Sequence, residues 1–423
     1  MASVADNIMV GQLGSVPLAA ISFATNIYVL IFLIGVGIAI GLTPAVGKAN
    51  GEGDTEAAGK YLINGIGVNL LSGFVLTAVL FSCNFFLDEF GQSPDVVESS
   101  RGYFLILSLS IIPYMFFLAF KQFLEGITLT RPGMIAILVG NILNVFFNWL
   151  LIFGNWGFPK MGIEGAGWAT FISRIIMVII ILVIIAGPRF RVYLKGRKPF
   201  NYSKEKFKKI FKLGIPTGLQ FAFEVSAFSM AGIMIGWIGS SELAAHQIAI
   251  NLAAITFMMA GGLGSAATIS LSNFLGRKEF YEMKRSGYAS IFMAALFMGI
   301  TAVLFLLTRQ ILPSFYTDDQ IVITLAADLL IVAAIFQLSD GLQVTLLGAL
   351  RGLHDVKVPT IITVIAYWGF TIPVSYILGF EFELGQKGVW YGLLLGLSIA
   401  ALFLYFRFEY LSKKIIEGKI EQA

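Results

Sequence analysis

Long apolar runs separated by short polar stretches cover almost the whole chain. The runs fall at residues 1–12, 18–47, 59–87, 100–125, 132–154, 165–187, 207–237, 242–275, 286–309, 321–349, 358–380 and 388–411. A helix needs about 20 apolar residues to cross a bilayer, and all but the first run supply them. Strands of a membrane barrel would alternate polar and apolar side chains, and these runs do not. The pattern predicts an all-α polytopic membrane protein of twelve transmembrane helices, the first incomplete. Composition agrees: 57% of the 423 residues are hydrophobic and 13% charged, against about 25% charged in soluble domains.

The chain repeats itself. GQLGSVPLAAISFATN from Gly11 matches GWIGSSELAAHQIAIN from Gly236. LEGITLTRP from Leu124 parallels LRGLHDVKVP from Leu350, and MGIEGAGWA from Met161 parallels LGQKGVWYG from Leu384. Three matches in register predict two lobes of six helices related by a parallel repeat. Residues 1–188 form the N-terminal lobe, 189–212 a basic linker and 213–423 the C-terminal lobe with its tail. In the second half, KEKFKKIFKLGIPTGLQFAFEVS precedes the Gly236 motif. The matching stretch of the first half would lie before Met1, so the front of helix 1 is expected to be absent.

Charge sets the threading. Lys and Arg gather in every second loop, at 121–131, 189–212, 277–285, 351–357 and the tail from Arg407. The intervening loops are acidic or neutral. The positive-inside rule then places the basic central loop and the C-terminus in the cytoplasm of a cell with this protein in its inner membrane. The net charge of +4 gives no reason to expect nucleic acid. Cys83, the single cysteine, permits no intrachain disulfide.

Glu224 is the one ionisable residue in Ile215–Gly236 and sits near its middle. An ionised side chain at that depth costs about 2.5–3.5 kcal/mol or more, so it is expected to face protein, water or a cation. Two readings stand: a protonated carboxyl that only packs, or a proton- or cation-coupled binding site. Asp340 is the second deep acid of the C-terminal half; the region around Tyr114 takes its place in the first half. Asp6 lies in the surviving part of helix 1, and its repeat partner is Ala231. Asn141, Asn144 and Asn148 are spaced by three and four residues and share a helix face. Their amide oxygens can serve Na⁺ or a proton-bearing group, or glue helices together. Thr170 could add an oxygen. Asp328 is expected at the interface. The membrane segments appear almost free of Lys and Arg, with Lys121 and Arg174 read as lying near helix ends. GVGIAIG and GGLGSAA are spaced for close helix packing.

No phosphate-binding loop, catalytic triad, zinc-protease motif or voltage sensor is present. His246 and His354 have no metal-ligand neighbours in sequence. An enzyme and a resident cofactor are therefore not expected.

Four stretches resemble the multidrug and toxic compound extrusion (MATE) family: D-x-I-M-x-G-x-L-G at Asp6, the Asn144/Asn148 helix, F-x-x-E-V at Glu224, and S-D-x-x-Q-V…L-R-G over Asp340–Gly352. The resemblance spans nearly the whole chain. It implies twelve helices in two six-helix lobes forming a V, alternating access, and antiport of Na⁺ or H⁺ against organic cations. It also implies that Glu224 and Asp340 match the C-lobe cation-binding acids of the NorM-like branch. Asp6, Asn144, Asn148 and Thr170 match the N-lobe cation or proton cluster, with Na⁺ at either set. Phe336 stands where NorM-like members often carry a tyrosine; Phe336, Tyr114 and Asn141 are supporting candidates. The expected partners are small organic cations or drugs, the coupling cation and the lipid bilayer, with the protein a monomer.

A carboxyl group out of water holds its proton, and an arriving cation displaces it. Drug and coupling ion would then compete for the same acids. The alternative in the same superfold is a lipid-linked oligosaccharide flippase, which would need Arg and Lys for a diphosphate. A channel or receptor-like binder is disfavoured by the two-lobe repeat with deep acids.

Overall fold

The computed structural model describes residues 2–194 and 202–419. Met1, the middle of the predicted linker (195–201) and the end of the predicted tail (420–423) lie outside the described residues. All regular structure among the described residues is helical. A short helix α1, Ala2–Gly11, is followed by eleven that are long and apolar enough to cross a membrane. These are α2 Ser15–Gly51, α3 Thr55–Phe90, α4 Pro94–Gly126, α5 Arg131–Phe153, α6 Ile163–Ile185 and α7 Lys204–Ile238. Then come α8 Ser240–Arg277, α9 Phe280–Thr308, α10 Gln320–Gly352, α11 Lys357–Glu381 and α12 Gly385–Ile416. Each of the eleven long apolar runs is one of these helices.

Local chemistry explains where they start and bend. Asp54 caps α3 by accepting from the Ala57 N–H at 2.7 Å, and Asp319 caps α10 by accepting from Ile321 at 2.9 Å, the usual service of Asp at a helix N-terminus. Pro lacks an N–H and clashes with the preceding turn. Accordingly α2 divides at Gly41, just before Pro44, and α4 at Ser110, just before Pro113. The basic linker's end from Lys204 onward is already helical, as the first turns of α7. In α11 the winding loosens to a π-helix over Ile365–Thr371 and again over Ile377–Glu381, on either side of Pro373.

Large apolar side chains are exposed along whole helix faces. Leu71, Phe74, Val75 and Val79 do so on α3, and Leu296, Ile300, Val303 and Leu307 on α9. Runs this long would be unsustainable in water and are what lipid-facing surfaces look like. The protein is a multi-pass membrane protein.

The chain forms two compact units, Met1–Gly218 and Leu219–Ala423, with the division inside α7. In the first, α5 packs along α6, α2 packs on α3 and α4, and α1 lies against α5 and α2. In the second, α8 and α10 form the central pair, and α9 and α12 flank α10.

Small residues let backbones touch. A Cβ added at Gly37 would lie 2.2 Å from Gly218 Cα, and one at Gly41 2.6 Å from Gly214 N, so GVGIAIG meets the glycines of α7's first half. GGLGSAA is different. Only Gly264 is at a crossing, against Gly348 of α10, while Gly261 and Gly262 face open space.

Threonines tie helices together in both units: Thr43 Oγ1 donates to Gln122 Oε1 at 2.7 Å, and Thr268 Oγ1 donates to the Gly348 carbonyl at 2.8 Å. An added Cβ at Gly126 would press on the Thr43 carbonyl, and one at Gly352 on that of Thr268. Gly239 precedes α8 with extended backbone that any residue could adopt, whereas Gly14, before α2, sits at φ 126°, a conformation that favours glycine.

Candidate functional site

The second unit holds a buried polar group built around Glu224 of α7. Its Oε1 is reached by Gln343 Nε2 of α10 at 3.2 Å and by the Tyr367 hydroxyl of α11 at 3.0 Å. Tyr367 is also 2.7 Å from Gln343 Oε1. All three side chains are buried. Hydrogen-bond counting constrains their protons. Tyr367 has one proton and two oxygens in reach, so a carboxylate at Glu224 would leave one close O···O contact unbridged. A protonated Glu224 supplies the missing hydrogen by donating to Tyr367 while Tyr367 donates to Gln343. The triangle thus fits the neutral acid. No Lys or Arg lies within ion-pair distance of Glu224 among the described residues.

The loosened turn of α11 positions Tyr367. It lies in the π-helical Ile365–Thr371, a winding that shifts side chains off the regular helix face and recurs at functional sites. Asp340, one turn before Gln343 on α10, is buried and makes no hydrogen bond among the described residues. Arg351 lies further along the same helix and is also buried. Phe336 is part of the apolar core, with its ring against Phe228 and Trp390, and brings no polar atom to the acids. Replacing Tyr367 by Phe removes one bond from the triangle and leaves the rest. A net hydrogen bond is worth about 0.5–1.5 kcal/mol, so Tyr367→Phe should lower the melting midpoint by roughly 1–6 °C without unfolding the protein. Thermal unfolding in detergent checks this.

The first unit holds a second group around Asp6 of α1. Asn148 Nδ2 donates to Asp6 Oδ1 at 2.5 Å, and the Thr170 hydroxyl of α6 donates to Asp6 Oδ2 at 3.4 Å. Asn144 Nδ2 donates to Thr170 at 3.2 Å, and Asn148 also reaches Asn144 Oδ1 at 3.4 Å. All four are buried. Residues from α1, α5 and α6 thus meet in one buried group. With its nitrogen turned to Asp6, Asn148 leaves a buried Oδ1 without a hydrogen-bond partner among the described residues. A carboxylate, a hydroxyl and a free amide oxygen in one place suit Na⁺ or a proton-donating guest. Asn141, one turn earlier, is only half-buried and outside this set. Among the described residues no three His, Cys, Asp or Glu side chains cluster as metal ligands.

One expectation fails. Arg174 is not near a helix end: it is the middle residue of Ile163–Ile185. Nη1 donates to the Tyr28 hydroxyl and to Ser110 Oγ, both at 2.7 Å. The guanidinium carbon lies 5.7, 5.3 and 4.8 Å from the ring centres of Tyr28, Phe32 and Tyr114, so Tyr114 serves this arginine. Lys121 does stand near the end of α4, paired with Glu125 at 2.7 Å. Asp328 is half-exposed and pairs with Lys387 at 2.8 Å. His246 is buried and accepts from Trp390 Nε1 at 3.1 Å, a core role.

Gln343 and Tyr367 were missed as partners of Glu224. Gln343 stood in plain view inside S-D-x-x-Q-V. Tyr367 gave no signal, because a π-helical turn has no sequence signature in an apolar run.

Residues 1–150 and 216–377 match the MatE family profile. The chain is 32% identical to multidrug resistance protein NorM of Photobacterium profundum, covering 99% of this chain and 93% of that protein. It is also 32% identical to NorM of Vibrio cholerae, with the same coverage. Among solved structures, the eukaryotic MATE transporter AtDTX14 superposes with a TM-score of 0.87 at 19% identity, over 99% of this chain and 94% of that one. A Pyrococcus furiosus transporter of the MOP superfamily, described as having a binding pocket of reversed polarity, gives 0.90 at 19% identity, over 98% and 92%.

Proposed function

The chain belongs to the MatE family, and from that membership and the two buried acid groups we propose that it is a multidrug efflux transporter exchanging organic cations for Na⁺ or H⁺ by alternating access of two lobes. Glu224 carries the proposal. A carboxyl group midway along a membrane helix, hydrogen-bonded to neutral side chains and in no salt bridge among the described residues, is stable either protonated or beside a cation. An organic cation and a coupling ion would each satisfy it, and only one at a time. Asp340 adds a second negative group beside it; Asp6 with Asn144, Asn148 and Thr170 forms the matching acceptor set in the first unit. The basic central loop and the tail are proposed to face the cytoplasm.

The test is efflux of ethidium from vesicles under an imposed Na⁺ gradient or an imposed pH gradient, one at a time. One gradient is expected to drive export; export indifferent to both would refute coupling. Asp6→Asn, which keeps the hydrogen-bonding shape and loses the charge, should lower gradient-driven export at least tenfold.

Arg174 favours a second reading, the lipid-linked flippase, since a mid-membrane cation suits an anion. A diphosphate carries more than one charge, and among the described residues of the first unit Arg174 is the lone basic residue at the centre of a span. Accelerated transbilayer movement of a lipid diphosphate in reconstituted vesicles would favour this reading over drug export.

A further inference from the structure

An arginine at mid-membrane is costly, about 2.5–3.5 kcal/mol on insertion scales, unless something holds the charge. Here no carboxylate lies within ion-pair distance of Arg174 among the described residues. Its two hydrogen bonds both use Nη1, on Tyr28 and Ser110. A guanidinium has five N–H donors in a planar fork. The Nε and Nη2 edge, which is the edge a carboxylate grips with two parallel bonds, therefore meets no acceptor among the described residues. Around it stand the rings of Tyr28, Phe32 and Tyr114, with Phe32 and Tyr114 5.2 Å apart and Tyr28 stacked on Phe32 at 5.1 Å. Such faces take up flat aromatic molecules as readily as they take up the guanidinium.

Position along α6 adds a second element. Thr170, which bonds Asp6, and Arg174 are one turn apart and face the same way. The rise between them is about 6 Å. The first unit thus presents an open cation and a carboxyl group along one helix face, an arrangement with a positive and a negative pole. In the second unit the repeat offset of the Met161 and Leu384 motifs puts Leu397 where Arg174 stands, so the pole is not duplicated.

Resting on the drug-export reading above, we infer that Arg174 is a specificity-determining residue that binds the carboxylate of planar aromatic substrates, zwitterions among them, with their ring against the half-buried Phe32 and Tyr114. Substrates that are only cationic would have no use for the fork and would depend on the acids instead.

The experiment compares norfloxacin, a flat carboxylate-bearing zwitterion, with its ethyl ester, which keeps the ring and the amine and loses the carboxylate. Export kinetics are measured in vesicles for the intact protein and for Arg174→Gln. The ester is expected to show a KM at least tenfold above that of the acid in the intact protein. In Arg174→Gln that ratio should fall to about one. If this variant does not reach the membrane, Arg174→Lys keeps the charge without the fork, and its ratio should fall to about three. A ratio within twofold in the intact protein, or one that persists unchanged in both variants, would overturn the assignment while leaving drug export standing. Export of neither compound, nor of ethidium, would overturn both.

Discussion

Glu224→Gln and Asp340→Asn are each expected to lower export of ethidium at least about 100-fold while the protein reaches the membrane in normal amount. Each change preserves side-chain size and removes a negative charge. A bound cation that loses its buried negative partner loses about 2–5 kcal/mol, and about 2.7 kcal/mol is a factor of 100. Glu224→Gln should fold normally, because an amide can enter the Gln343–Tyr367 triangle as donor and acceptor. Asp340 makes no hydrogen bond to lose among the described residues, so its replacement should leave stability untouched. Efflux rates normalised to protein in the membrane measure the effect. Substantial export by both variants would remove the acids from the mechanism.

The largest effect on stability is expected at Gly348→Ala. A Cβ there would lie 2.0 Å from the Gly264 carbonyl oxygen and 2.7 Å from Gly264 Cα, both backbone atoms that no side-chain rotation can clear. α8 and α10 would have to part along their central crossing. Overpacking of this kind costs up to about 3 kcal/mol and sometimes more, which for a unit of this size corresponds to roughly 6–12 °C in melting midpoint. Gly261→Ala is the control. Nothing lies within 4 Å of its added carbon, and alanine is favoured over glycine in a helix by about 0.5–1 kcal/mol, so its midpoint should hold or rise. Thermal unfolding of the purified proteins in detergent distinguishes the two.

What could be read from the chain follows from what membranes demand. Eleven long helices were visible because lipid requires uninterrupted apolar runs, and their ends were marked by residues such as Asp54 and Asp319 that must sit in water. Asn144, Asn148 and Thr170 could be grouped because helix periodicity places them on defined faces. Their meeting with Asp6, 142 residues away for Asn148, depends on helix packing that no spacing encodes. The glycines show the same limit: GVGIAIG and GGLGSAA look alike, yet only Gly264 of the second is buried at a crossing. Tyr367 was invisible because it comes from a π-helical turn. Arg174 lies at the centre of its helix because aromatic rings and two hydroxyls hold its charge there, partners that no sequence spacing reveals.

Mutual exclusion of drug and coupling ion is the account's central claim, and equilibrium binding tests it without transport. Tetraphenylphosphonium binding to the purified protein is measured while Na⁺ or H⁺ is raised. With the coupling ion, its apparent Kd should rise in proportion to ion concentration, tenfold or more over the titration, and the dependence should vanish in Glu224→Gln. An apparent Kd unmoved by either ion, with both guests bound together, would contradict it.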